Sequence, residues 1–209
     1  MNWIKHLVIV FLVASLMPAC KSEYQQMVDE GLASGERHDS LFLGIHFGMS
    51  SKEFFAHCWA LNKQQLIKQG NSNTSVEYEM KEFPQTVIMN FYPTFHKDTI
   101  HEMPAIFYYR AWAPWNKELW SDQLIEDIRK LMEGWYGGPG FVKLEHPEKG
   151  FRYVKVDGNR RIILWKEDDQ HVKVLYTDLL KEKAMNAEKE TRREEASSSE
   201  KDAQSSQLQ

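Results

Sequence analysis

The stretch FRYVKVDGNRRIILWKEDDQHVKVLY, residues 151–176, carries the pattern that decides the fold. Phe151–Val156 and Arg161–Trp165 are rich in branched and aromatic residues and flank Asp157-Gly158-Asn159, a strong hairpin signal because Gly accepts the positive φ a tight turn needs. Glu167-Asp168-Asp169 supplies a second turn, and Val172–Tyr176 alternates again, so three antiparallel strands are predicted here. Just upstream, Leu124, Ile128, Leu131 and Trp135 form one helical stripe, with Ile125 and Met132 beside it. Ser121 or Asn116 can cap the start of that helix, and Gly137-Gly138-Pro139-Gly140 ends it.

The same order is read in the first half. Ser50 precedes Glu53 by the spacing at which hydroxyl and carboxylate reciprocally satisfy free backbone donors at a helix start. Phe54, Cys58 and Leu61 then recur at helical spacing, and Phe55 and Trp59 widen the stripe, so this helix is expected to pack an apolar face and to end by Gly70-Asn71. Val76–Met80, Val87–Tyr92 and Ala105–Trp112 read as strands, with Pro84, Pro93 and Pro104 punctuating them. The predicted fold is therefore α+β, two helix-plus-three-strand units. They form either two stacked units or one antiparallel sheet with both helices on one face. Residue-level identity between the halves is too weak to call a repeat.

Around this globular domain, residues 41–180, the composition changes at both ends. Apolar density rises abruptly at Leu41-Phe42-Leu43-Gly44-Ile45. Residues 20–40 before it are polar, broken by Gly31, Ser34 and Gly35, and read as a tether in which a short helix near Glu23–Leu32 fits. Residues 181–209 hold almost nothing to bury and are expected as a disordered charged tail, with alternating charges that can prolong a helix to Glu195.

The chain has 209 residues, which excludes a large barrel enzyme, and 42% hydrophobic residues, which support a real core. Its 26 Lys and Arg stand against 30 Asp and Glu, so no global field draws it to nucleic acid.

The first residues are organised differently. Lys5 and His6 precede an apolar run from Leu7 to Met17 and a small residue, Ala19, before Cys20. This is secretory architecture, and a run of about eleven residues is short for a span that needs about twenty. Leu16-Met17-Pro18-Ala19-Cys20 resembles the lipobox of bacterial lipoproteins. It departs from the usual pattern at Met17 and Pro18. The resemblance implies that residues 1–19 are a signal peptide and that the Cys20 thiol carries the acyl chains that hold the protein at a membrane. Lys21, in place of the Asp that signals inner-membrane retention, implies an outer-membrane destination. Gly48-Met49-Ser50-Ser51-Lys52-Glu53-Phe54 resembles the helix-opening motif of small outer-membrane lipoproteins of the BamE (SmpA) type. More distantly, it resembles the tandem helix-plus-sheet design of proteinaceous β-lactamase inhibitors. Both resemblances concern fold and carry no functional residue across.

No convergent catalytic motif is legible. His96, His101 and Glu102 are metal-ligating residue types, but the spacing of five between the histidines, between Pro93 and Pro104, suits a solvated loop better than a ligand-bearing helix. Cys58 beside His57 pairs a nucleophile with a base only in sequence, since neighbours on a helix point about 100° apart. The glycines at 137–140 follow a helix C-terminus, where the dipole repels anions, so they are a stop and not a phosphate loop. Asp168-Asp169 reads as a turn. The unusual feature is Trp112, Trp115 and Trp120, with Tyr108 and Tyr109 upstream. They form either a platform for a partner or sugar, or the closure of the core, with at least one indole showing a face.

The expectation is a lipid-anchored envelope protein that binds a protein partner or assists an assembly, with no catalytic residue, no metal and no cofactor assigned. The alternatives are a small envelope hydrolase or metal-dependent enzyme using His96, His101 or Cys58, and a surface carbohydrate binder using the tryptophans.

Overall fold

The computed structural model describes residues 21–70, 72, 74–146 and 150–206. Among them a helix followed by an antiparallel meander occurs twice. The first half comprises helix α2 (Ser51–Lys63) and strands β1 (Ile67–Gln69), β2 (Val76–Met80), β3 (Val87–Phe91), β4 (Thr94–His96) and β5 (Thr99–Tyr109). The second comprises helix α3 (Ser121–Tyr136), β6 (Val142–His146), β7 (Gly150–Asp157), β8 (Arg160–Lys166) and β9 (Val172–Asp178). Helices α1 (Glu23–Ala33) and α4 (Leu179–Ser206) flank them. All nine strands join one sheet in the order β1-β2-β3-β5-β9-β8-β7-β6, with β4 paired to β5 beside that path. The two meanders meet where the last strand of each pairs with the other, Met103 opposite Tyr176 and Phe107 opposite Val172.

The fold is mixed α+β, but the three strands expected per unit become five and four. The strands missed are β1 and β4, of three residues each, and β6. A short strand at an edge has few positions to fill against the core and so writes little alternation into its sequence. Pro104, expected to separate strands, lies inside β5. Its carbonyl accepts from Tyr92 N at 3.4 Å, so its nitrogen faces the same side, just past Phe91 where β3 has ended. The N–H that Pro104 lacks is the reciprocal bond of that pair, so the ladder to β3 stops at Phe91.

Local chemistry sets the helix ends. Ser50 and Glu53 form both halves of the capping box at α2. Gly137 at φ 57° and Gly138 at φ 64° stop α3. The start of α3 differs from expectation: Trp120 occupies the cap position without a side-chain bond, and Ser121 Oγ instead donates to Asp168 O. Ser121 N bonds Asp169 O at 2.9 Å, so the acidic turn clamps the helix to the β8–β9 hairpin.

The sheet separates two cores. On one face α2 and α3 set Phe54, Leu61, Leu124, Ile125, Ile128 and Met132 against Met89, Phe91, Phe107, Tyr109, Val174 and Tyr176. Both helices thus lie on one face. On the other face α1 sets Tyr24, Met27, Val28 and Leu32 on Val154, Val156 and Ile163, together with Leu179 at the start of α4.

Residues 21–40 are therefore a docked strap where a tether was expected. Ser22 caps α1 through Gln25 N, and the Tyr24 hydroxyl accepts from Arg161. Gly31 is a contact point: a Cβ there would stand 2.5 Å from Val156 Cγ1, so only glycine permits this approach. The tail expected as disordered is helical over its described length. Arg161 holds Glu182 at 2.9 Å and Lys97 holds Glu188 at 2.6 Å. Side chains from Glu188 to Ser197 are exposed.

Candidate functional site

Cys20, the expected acylation site, lies outside the described residues. The three tryptophans do not share one environment. Trp115 is 85% exposed, whereas Trp112 and Trp120 are half-buried and donate their indole N–H groups to Asp169 O at 3.2 Å and Ala113 O at 3.4 Å. These two indoles brace the junction between β5 and α3, and the free ring is Trp115 alone.

The histidines lie in strands and not in a loop. His96 ends β4, and His101 sits within β5, buried at 6% exposure. Their rings meet edge to face at 6.1 Å, and His96 Nε2 stands 3.9 Å from Glu188 of α4. Burial holds the His101 pKa below its ordinary value. Among the described residues no group of three His, Cys, Asp or Glu side chains is placed to hold a metal ion.

Cys58 lacks the setting of a nucleophile. His57 Nε2 is engaged with Leu43 O at 2.7 Å, and burial pushes the Cys58 thiol up to about 11. Thiolate reactivity requires a shift in the other direction.

A buried polar cluster that the sequence did not announce joins the ends of the fold. Lys155, with no exposed side-chain surface, donates to Gly137 O and Pro139 O, and so ties the glycine-rich end of α3 to β7. Arg160 holds Asp157 through Nε and Nη2 at 3.2 and 2.7 Å and donates to Ser40 O. Its guanidinium also covers the Tyr136 ring at 4.2 Å. Asn159 joins Asp39, Asp178 and His38 N. A cavity of about 370 Å³ opens beside it, lined by Tyr78, Trp135, Tyr136 and Arg160. The polar atoms named in the cluster bond one another or backbone, so its role is to fix residues 37–43 and the hairpin to the sheet.

The surface with unspent apolar area is on α2. Phe55 is 52% exposed and Trp59 64% exposed, one helical turn apart, while only Phe54 and Leu61 of this helix are buried. They border a groove of about 420 Å³ between α2 and the β1–β2 edge, floored by Ile67, Val76, Tyr92 and Cys58. Lys68, the one charged residue lining it, is paired with Glu77 at 3.0 Å, and Lys63 places its ammonium 5.6 Å from the Trp59 ring. Phe55 and Trp59 were read as the widened edge of a core stripe. They face solvent because the sheet ends at β1 and offers that side of the helix nothing to cover.

Together the fold and the groove define a mixed α+β protein with an exposed aromatic surface at one sheet edge. Compared with protein-family models, curated proteins and solved structures, the chain matches none. No helix among the described residues is long and apolar enough to cross a membrane.

Proposed function

We propose that this is a lipid-anchored protein of the bacterial cell envelope, held through Cys20, that binds a polypeptide partner in the α2–β1 groove and performs no chemistry itself. The observation carrying this reading is the exposed pair Phe55 and Trp59 beside an apolar groove. Contiguous aromatic surface of this kind marks docking sites, and Trp and Phe dominate binding energy where they seat in pockets. Lys68 is neutralised by Glu77 at 3.0 Å and the cation at the rim is Lys63, so the matching segment presents an apolar side chain beside a carboxylate. The sugar-platform alternative has less support, since only Trp115 of the three tryptophans is freely exposed.

A photo-reactive residue placed at Trp59 in cells tests the reading, with the same residue at Trp115 as control. A discrete protein adduct is expected at Trp59, lost on Phe55→Ser and weakened by Lys63→Glu. Adducts only to lipid or only to a second copy of the chain, or adducts indifferent to both substitutions, overturn it. For the anchor, intact mass is expected to show acyl chains on a chain beginning at Cys20, and Cys20→Ser to release the protein from membranes.

A further inference from the structure

We infer that the acylated protein lies directly on the bilayer with its α1 side down, so that the Phe55–Trp59 groove is directed away from lipid and open only to partners arriving through water. This rests on the anchor reading above and adds to it an orientation. Only Lys21 and Ser22 separate Cys20 from α1, a reach of at most about 11 Å from Cys20 to Glu23. Lys21 is itself tied back: its Nζ meets Asp29 at 2.5 Å, and its carbonyl accepts from Gln26 Nε2 at 3.4 Å. Helix α1 is docked, with Met27 and Val28 on Val154 and Val156, Gly31 in close approach to Val156, and Tyr24 bonded to Arg161. Among the described residues, only Lys21 and the capping Ser22 precede α1.

The groove lies far from α1 along the sheet. Helix α1 covers β7 on one face of the sheet, whereas α2 lies on the other face, against β1. Strands β7 and β1 are six strand spacings apart in the sheet order, about 29 Å at 4.8 Å per strand. That exceeds the reach from Cys20 more than twofold. A bilayer held within that reach meets the α1 end of the molecule, six strands from Phe55 and Trp59, although an exposed Trp and Phe beside lysines would otherwise suit a membrane interface. The orientation thus selects between lipid and protein as the groove's occupant.

The test uses the full acylated chain in vesicles of phosphatidylethanolamine and phosphatidylglycerol. Spin labels are placed at Glu23→Cys or Ala60→Cys in a Cys58→Ser background. The label at 23 is expected to lose collisions with a water-soluble relaxant, severalfold relative to the unacylated Cys20→Ser protein, while the label at 60 is unchanged. A Gly-Ser insertion between Lys21 and Ser22 is expected to abolish the protection at 23 without releasing the protein from vesicles. Lipid contact at position 60, or no protection at 23 in vesicle-bound protein, overturns the orientation and leaves the anchor reading intact. Absence of acyl mass, with no vesicle binding, removes the anchor reading and the orientation with it.

Discussion

Helices α2 and α3 hold equivalent places, each opening a meander and each on the same face of the sheet, yet they spend their apolar residues differently. Helix α3 packs on β5, β8 and β9 near the middle of the sheet and buries Leu124, Ile125, Ile128 and Met132. Helix α2 packs on β1 at the edge and buries only Phe54 and Leu61, leaving Phe55 and Trp59 outside. The apolar stripe of α3 is as wide as the sheet beneath it. That of α2 is wider than its support, and the excess is the candidate docking surface. An amphipathic pattern reports that a helix face will be covered, not by which molecule.

The largest expected effects separate buried from exposed positions on these two helices. Phe54→Ala on α2 and Ile128→Ala on α3 each remove a fully buried side chain and should cost about 3–5 and 2–5 kcal/mol in urea denaturation. Phe55→Ala and Trp59→Ala should stay within about 0.5 kcal/mol, and Phe55→Ala should yet abolish the photo-adduct formed at position 59. A loss at Trp59 equal to that at Phe54 would make the outer face of α2 structural and erase the contrast.

Next come the groups that lock the end of α3. Arg160→Ala leaves the buried Asp157 with only Lys155, at 3.7 Å, as a charged partner and should destabilise by about 3–5 kcal/mol. Lys155→Met leaves the Gly137 and Pro139 carbonyls without their donor, at about 1–3 kcal/mol. Among the described residues helix α2 has no such device, so exchange of its last-turn amides should be unaffected by either substitution. Slowed or quickened exchange at Leu61–Lys63 in Lys155→Met would show the two helices to be coupled.

A smaller effect is pH-dependent. His101 is held neutral by burial, with Glu102 and Asp178 opposing the shift and His96 and Lys181 reinforcing it. Because its folded pKa lies below the unfolded value near 6.5, its contribution is complete above that pH and is lost as pH falls toward the folded value. His101→Phe should flatten that part of the stability profile. An unchanged slope would assign the acid sensitivity to another group.

Two kinetic measurements sharpen the same picture. With its thiol pushed up to about 11, Cys58 should react with iodoacetamide at neutral pH at least roughly a hundredfold more slowly than an unperturbed thiol, and at the ordinary rate in urea. Occupancy of the groove should slow it further. The least perturbing test concerns α4: amides beyond Glu188, where the side chains are exposed, should exchange first in the molecule, and Lys97→Ala should extend that fraying back toward Leu180.

Much of this architecture was legible because its signals are local. The Ser50–Glu53 box, the glycines that stop α3, the Asp157–Asn159 hairpin and the Val76–Met80 strand each depend on residues within one turn or one strand of each other. What was not legible depends on neighbours distant in sequence. Pro104 sits within a strand because β3 ends beside it. Gly31, read as a break in a tether, lies inside α1 and marks its contact with Val156. Lys155 and Arg160 are buried among strands because Gly137, Pro139, Ser40 and Asp157 supply partners. Of the candidate site, Phe55 and Trp59 were recognised as part of an apolar stripe, but the side of α2 left uncovered could not be inferred without the sheet edge. Trp115 was expected as one exposed indole among three, though not distinguished from Trp112 and Trp120.

By itself the sequence determined a mixed α+β chain in which α2 begins at its capping box and α3 ends at its glycines, because those preferences act within a few residues. Tertiary structure alone decided that the two meanders join through β5 and β9 into one sheet, and that residues 21–33 form a docked helix. It also decided which aromatic residues remain in water. These outcomes are set by how much surface each element finds opposite it, a quantity that depends on chain segments far apart and that no local pattern encodes.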